Sequence, residues 1–593
     1  MKIDLHCHSK YSQRPSLWIM QKLGCPESLT EPTRLYEMAI ENGFGAVTIT
    51  DHNVIEGCLD IAHLPNTFIS CEYTTYFPDD RCKVHVLAYD ITEEQHRDLS
   101  EARENIFDLV DYFRRNNIRN VCAHPLFAVN DRLTLSHVEK LILLFKNWEW
   151  NGDINPRMNA VVQELLYSLR PDDIEEMIHR HGIVPRFPEP WNKNLTAGSD
   201  DHCMLHYGSA YTEVHGARSL DQFWSAVEKG KAQTFARGST PHQFARKVYG
   251  ISYQFYRKKF DLGKYSGLSP FLRYLDQTLG GQVESKDARP NWFQILFNRK
   301  DKKKNPDHPP VENTLFQFIK EEAERLIAED PELIRILEKG EGSAAQLDRN
   351  LFRFVNTITD RVLVKFGDAT LDRFVNHHLL DLFASIGSAG ALYALLSPYF
   401  LAFSHFTTQR KWSSEVLDHF CGGTEEGLAE TKGARVAHFT DTLYEVNGVA
   451  KTLRQQSVTA RRLGKDYTVV TCCPAQTPAK EGIKHFQPVG DFTLPEYEEL
   501  RLSCPSFLEM LNYCYDQEFT HFHISTPGPV GLAALGIAKI LQIPVSGTYH
   551  TSFPQFARAL TEDIYAEDLV WKAMVWFYNQ LDSVFVPSRA TGN

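Results

Sequence analysis

The sequence predicts an α/β protein in three parts: a strand-and-helix barrel, a mostly helical connector and a doubly wound parallel sheet. Three observations carry this. Before about residue 215, seven short β-rich runs recur, each followed by a polar or glycine-containing break and then a helical stretch. From about 241 to 430 a helical period replaces that rhythm, and from Ala434 onward strand-like and helical stretches alternate again. The expected parts are residues 1–240, 241–432 and 433–593. A chain of 593 residues is too long for one compact unit, and 43% hydrophobic with 23% charged residues is the composition of a globular chain, not a disordered or polytopic membrane one. With 63 basic against 75 acidic residues there is no basic excess to drive generic nucleic-acid binding, although a small phosphorylated substrate stays open. The 12 cysteines are scattered without a CxxC pair and the N-terminus MKIDLHCHS lacks a signal-peptide pattern, so a first domain starting at residue 1 and a reducing cytoplasm are expected.

The seven N-terminal runs are IDLHCHS, AVTITDH, TFISCEYT, KVHVLAYD, NVCAHP, NWEWNG and NLTAGSDDH. Repeated strand-then-helix spacing argues for parallel strands, and seven such units for a closed or nearly closed barrel with its chemistry at the C-terminal strand ends. Those ends carry His6 and His8, Asp51 and His52, Glu72, His85, His124, Asp200 and His202. Residues two apart on a strand share a face, so His6 and His8 can point at one ion, as can Asp200 and His202, while Asp201 turns away. A lone histidine is more often a satisfied core residue, but six strand ends presenting His, Asp or Glu are costly to bury without a cation. Mixed imidazole and carboxylate ligation suits zinc, manganese or iron better than calcium. The ligand count fits at least two ions, with Glu72 the natural bridge and a shared hydroxide the expected nucleophile for a phosphate ester.

These ordered segments resemble the motifs of the PHP (polymerase and histidinol phosphatase) family of metal-dependent phosphoesterases over about residues 1–240. The resemblance implies a distorted seven-stranded β/α barrel holding two or three divalent metal ions. It assigns His6, His8, Glu72 and Asp200 to one ion, Glu72, His85 and His124 to a second, and His52 and His202 to a third. Glu72 and Asp200 are thereby catalytic. The family pattern often has a further histidine shortly after HxH, and SKYSQRPS contains none. Arg14 lies about where that ligand would sit; it is either an exposed loop arginine or a fixed cation for a phosphate.

In the connector, the spacing in NTLFQFIKEEAERLIAED predicts an amphipathic helix, and RKDKKK at 299–304 reads as a solvated loop. Residues 383–403, FASIGSAGALYALLSPYFLAF, hold no charge. The segment is long enough to span a bilayer, but its Gly, Ser and Tyr content and Pro398 favour a buried core over peripheral membrane contact, and either over spanning.

From Ala434 the runs ARVAHFT, YTVVTCC, HFHIS, PVSGTYH and DSVFVPS alternate with helices, the pattern of a doubly wound parallel sheet. TDTLYEVNGVAKTL, STPGPVGLAALGIAK, GTYHTSFPQF and FVPSRAT together resemble the first Rossmann-like half of a family 4 glycosyltransferase, over residues 433–593. By that resemblance the Asn447-Gly448 loop approaches a nucleotide-sugar donor and His550 faces the reaction centre. The second half should follow FVPSRAT; with the sequence stopping at Asn593, a nucleotide sugar is expected to bind only where that half is supplied. The leading functional expectation is a phosphoesterase joined to a glycosyltransferase half-domain, acting on a phosphorylated small molecule and, in the second part, a sugar acceptor. The alternative is a glycan-assembly protein whose barrel is a metal-stabilised regulatory or scaffolding module.

Overall fold

The computed structural model describes the whole chain except residues 16–17, 263–268, 281–310, 340–341, 376–381, 423–432, 445–447, 474–480, 495–496, 551, 562–563 and 587–593. The basic run 299–304 and Asn447 lie outside the described residues. The chain forms two compact units. The first comprises 1–303, 327–351 and 408–429, and the second 304–326, 352–407 and 430–593.

The first unit is α/β, with two sheets. Strands β2 (Ser70–Tyr76), β3 (Lys83–Tyr89), β4 (Arg119–Cys122), β5 (Asn147–Asn151) and β6 (Asn194–Gly198) form one in that order, and β1 (Lys2–Ile3), β7 (Ala210–Glu213) and β8 (Gln233–Ala236) the other. Two expectations are corrected. The strands are not all parallel: β2 to β3 and β3 to β4 pair antiparallel, and only β4 to β5 and β5 to β6 run parallel. For β2 and β3 the cause is connection length, because only residues 77–82 separate them, which permits a hairpin and forbids a helical crossover. Nor does a continuous closed barrel ladder form among the described residues. Segments 3–8 and 46–52 join the neighbouring chain through the isolated bridges Cys7 to Asp201, Val47 to Thr67 and His52 to Glu72.

Helices cover both sheets, and their apolar faces build the core around Trp148, Tyr73, Phe77, Phe113 and Phe145, all fully buried. The helix Ile106–Arg115 shows how locally these elements are specified: Asn105 caps its first turn through Phe107 N, Ile106, Leu109 and Phe113 face the core, and Arg114 and Arg115 stand at its C-terminal, electronegative end.

In the second unit, β9 (Val436–Phe439), β10 (Tyr467–Cys472), β11 (Ile483–Phe486), β14 (His521–Ile524), β15 (Val545–Thr548) and β16 (Ser583–Phe585) form one parallel sheet in the order β11-β10-β9-β14-β15-β16. The pair β12 (Pro488–Leu494) and β13 (Tyr497–Pro505) stands apart as an antiparallel ribbon. The strand order reverses between β9 and β14, which makes the crevice at their C-terminal ends the place for a ligand. The helix Leu382–Cys421 contains the uncharged segment 383–403, and among the described residues no helix is long and apolar enough to cross a membrane. From Leu396 onward the segment is largely buried, with Tyr399 beside Phe352, Phe400 beside Phe507 and Phe403 beside Tyr515.

Candidate metal centre

Strand alternation places the first two ligand candidates. His6 and His8 are fully buried on one side of segment 3–8, while Cys7 between them packs oppositely, beside Val47 and Ile49. Gly198, at the end of β6, lets this segment approach, since a Cβ there would stand 2.3 Å from the Cβ of His6. The main chain then closes by His8 N–H donating to Asp201 O and Asp200 N–H to His6 O.

Glu72, in the middle of β2 and wholly buried, divides its two oxygens. Oε1 lies 2.8 Å from His85 Nδ1 and 3.2 Å from His124 Nε2. Oε2 lies 3.2 Å from His6 Nε2, 3.3 Å from His8 Nε2 and 3.0 Å from His52 Nδ1. Asp200 Oδ1 faces the same pair of imidazoles, 3.4 Å from His6 Nε2 and 3.2 Å from His8 Nε2. Two ligand atoms each about 2.1 Å from one ion at tetrahedral or octahedral angles stand roughly 3.0–3.4 Å apart, which is the spacing of most of these pairs. Moreover, Glu72 Oε2 and His85 Nδ1 are buried at these separations without a hydrogen bond, an arrangement that costs free energy unless a cation occupies the gap. His6, His8 and Glu72 form one group with ligand atoms inside 4.8 Å, His52, Glu72 and His85 a second, and His8, His52 and His202 a third. The chemistry of this donor set fits zinc, manganese or iron.

All eight residues expected as ligands therefore converge. His124 and Asp200 do so with positive φ, 27° and 54°, backbone strain of the kind held at functional sites. His202 donates from Nδ1 to Asp200 O at 2.8 Å, which leaves the lone pair on Nε2. Asp51 and Asp201 stand outside the centre: Asp51 accepts from Ser9 and Ser12, and Asp201 from the backbone of Met204 and His206, shaping the two loops.

Electrostatics follow from this packing. Burial favours neutral His6, but the carboxylates of Asp200, Glu149 and Glu72 outweigh it and hold its pKa well above the ordinary value. His52 is likewise raised to about 9 against its burial, by Glu72 and Glu27. Burial pulls His85 down to about 4 and, with Lys247 and His8, lowers His202 strongly. Burial would raise Glu72, yet the surrounding imidazoles hold it well below the carboxylate range.

Sequence reading missed the supporting residues. Glu149 Oε1 lies 2.8 Å from His6 Nδ1 and its Oε2 accepts from His124 N and from Asn151, which holds the His6 ring and the His124 backbone in place. The signal was present in NWEWNG, a carboxylate between two tryptophans on a buried strand. Ser12 holds His8 Nδ1 at 3.0 Å, and Glu27 Oε2 lies 3.3 Å from His52 Nε2. Lys247, from the helix Pro241–Lys259, is buried in an ion pair with Asp153. Beside the centre opens a cavity of about 730 Å³ whose wall includes His52, His85, Tyr11, Arg14, Lys83 and Arg103. Arg14 is exposed at this cavity.

In the second unit, Gly448 opens the helix Gly448–Arg462, and a Cβ there would meet nothing within 4 Å. His550 follows β15 at an exposed position. Near it, His438 and His523 pair across β9 and β14 with ring centroids 4.4 Å apart. Burial, then His523 and His550, hold His438 well below its ordinary pKa, and burial with His550 lowers His523 to about 4. At the reversal point, Asp441 accepts from Thr526 Oγ1 and from Val530 N, fastening the helix Pro529–Ile540 at the end of β9.

Residues 446–593 match the model of Glycosyltransferase Family 4. The alpha-monoglucosyldiacylglycerol synthase of Streptococcus pneumoniae is 25% identical over 157 residues, covering 26% of this chain and 35% of that protein. An uncharacterized protein of Methanocaldococcus jannaschii is 41% identical over 68 residues, 12% of this chain and 38% of that one. The chain thus spans little more than a third of the length of either relative. Two solved structures align with the N-terminal third. One, from Bifidobacterium adolescentis and assigned as a metal-dependent phosphoesterase, covers 34% of this chain and 87% of its own at 16% identity and a TM-score of 0.20. The other, an amidohydrolase from Chromobacterium violaceum, covers 34% and 88% at 16% identity and a TM-score of 0.21. The C-terminal part is similar to family 4 glycosyltransferases.

Proposed function

We propose that residues 1–240 are a metal-dependent phosphoesterase, joined through the connector 241–432 to the glycosyltransferase-like part 433–593. The observation that carries this is the division of Glu72, one oxygen toward His85 and His124 and the other toward His6, His8 and His52. In this reading the seven segments act as one distorted ring, which the bridges at Cys7, Val47 and His52 help to close. His6, His8, Glu72 and Asp200 would hold one cation, Glu72, His85 and His124 the next, and His52 and His202 belong to a third. Divalent cations there would lower the pKa of a water so that it can attack phosphorus, and would neutralise phosphoryl oxygens.

The protein's own groups then have distinct tasks. Glu149 and Ser12 keep His6 and His8 in the orientation that presents Nε2 to the centre. Arg14, Lys83 and Arg103 give the cavity a positive wall that suits a phosphorylated small molecule, with Arg14 able to pair bidentately with the phosphate. In the second part, the Asn447-Gly448 loop and His550 would serve a nucleotide sugar and its acceptor only where a second Rossmann-like half is supplied.

The test is hydrolysis of para-nitrophenyl phosphate by the purified protein, with metal analysis of the same sample. Turnover abolished by a chelator and restored by zinc, manganese or ferrous ion supports the assignment. Absence of both metal and turnover refutes it. Stoichiometric metal with no turnover on a panel of phosphate esters would instead make the barrel a metal-stabilised scaffold.

A further inference from the structure

The expected third-site histidine after HxH is missing from the sequence, and the structure brings a different residue to the place. Segment 27–30 folds back onto segment 8–12: Ser28 N–H donates to Ser12 O at 3.1 Å, Ser28 Oγ to His8 O at 3.3 Å, and Lys10 N–H to Thr30 O at 2.8 Å. Ser28 is fully buried, so these bonds fix the loop and carry Glu27, itself 8% exposed, to the Nε2 edge of His52. Glu27 Oε2 stands 3.3 Å from His52 Nε2, the same spacing as the nitrogen-oxygen pairs around Glu72.

The rings around it are arranged to share an ion. His8, His52 and His202 bring ligand atoms within 4.8 Å of one another, and His202 stacks on His8 with centroids 4.2 Å apart. With His202 Nδ1 donating to Asp200 O, its Nε2 holds a lone pair. His52 presents Nδ1 to Glu72 Oε2 at 3.0 Å and Nε2 to Glu27 Oε2 at 3.3 Å, so one ring reaches both carboxylates.

We infer that Glu27 is the carboxylate ligand of a third cation position, shared with His52 and His202. The inference rests on the metal-centre reading above. It assigns the role of the missing histidine to a residue 19 positions after His8 and frees Arg14 from that role, leaving its guanidinium for substrate. An anionic oxygen with two imidazoles is a donor set that zinc or manganese accepts, with open positions for water or a phosphoryl oxygen.

The experiment loads the full chain with Mn²⁺, removes excess by equilibrium dialysis and counts bound metal per chain by plasma mass spectrometry, alongside thermal unfolding to show that each variant folds. Wild type should bind three ions. Glu27→Gln should bind two, the third weakening at least a hundredfold, and Glu27→His should recover the third. Equal counts and affinities in wild type and Glu27→Gln would overturn the role of Glu27 and return its contact with His52 to an ordinary buried ion pair. Two ions in wild type would overturn the third position while leaving the centre around Glu72 standing. No bound ion at all would overturn this assignment together with the metal-centre reading.

Discussion

Replacing Glu72 by Gln keeps the shape of the side chain and removes its charge, the most informative single change in the N-terminal unit. Five imidazole nitrogens lie 2.8 to 3.3 Å from its two oxygens, so both cation groups that share it lose their common anion. In the metal-free protein the same change removes a counter-charge from His6 and His52. The pKa of His52 is raised from 6.5 to about 9, against burial, chiefly by Glu72 and Glu27. A shift of that size corresponds to roughly 3 kcal/mol, in line with the roughly 3–5 kcal/mol typical of breaking a buried pair. The sign is that of a raised base: this stabilisation is fully present below about pH 6.5 and is lost as pH rises through about 9. Glu72→Gln should therefore lower bound metal by two ions per chain and abolish hydrolysis. In chelator at pH 6 it should also unfold at lower denaturant concentration, by at most about 3 kcal/mol because Glu27 and Asp200 share in raising His52, with the difference shrinking toward pH 10. Metal counting and denaturant titration at the two pH values read both effects. Wild-type metal content together with an unchanged midpoint at pH 6 would refute the bridging role.

Arg14→Ala should raise KM for a phosphomonoester by roughly ten- to a hundredfold while leaving bound metal unchanged, and unaltered kinetics would make Arg14 an ordinary surface residue. Glu149→Ala should weaken metal affinity by roughly ten- to a hundredfold without changing the number of ions, because it orients His6 from behind; competition with a chelating dye measures this. In the second unit, burial raises Asp360 to about 7 and its Oδ1 is buried without a hydrogen bond. A raised acid binds its proton in the folded state, so stability falls as pH climbs from about 4 to 7, and Asp360→Asn should gain about 1–2 kcal/mol at pH 8 and none at pH 3.5. Equal midpoints for the two proteins at pH 8 would contradict that account.

The centre was legible in the sequence wherever a residue's role follows from strand periodicity. Alternation alone paired His6 with His8 and turned Asp201 away, and Glu72, expected as the bridge, lies between the imidazoles of both groups. What periodicity does not encode is how far the chain runs before it returns. The hairpin between β2 and β3 was hidden because a strand reads the same in either direction, and only the brevity of residues 77–82 gives it away. Glu27 was invisible for another reason: its position depends on backbone bonds from Ser28 and Thr30 to the segment after His8, and loop-to-loop bonds have no sequence period. Lys247 reaches Asp153 from a helix that read only as the start of a connector.

The ligands of the centre lie far apart along the chain, and this orders events during synthesis. Glu72 and His85 sit on one hairpin and can meet as soon as it forms, but His6 and His8 need Asp200, which is translated much later. At about 5–20 residues per second, roughly 10–40 seconds separate the emergence of His6 from that of its partner. Throughout that interval the nascent chain can offer a cation only Glu27, Glu72 and the imidazoles as far as His124. An ion captured then would be held by a partial set of ligands and would exchange freely. Once Asp200 docked, the same ion would tie residue 6 to residue 200 as a cross-link does, closing a loop of nearly the whole unit and favouring the folded chain over the open one.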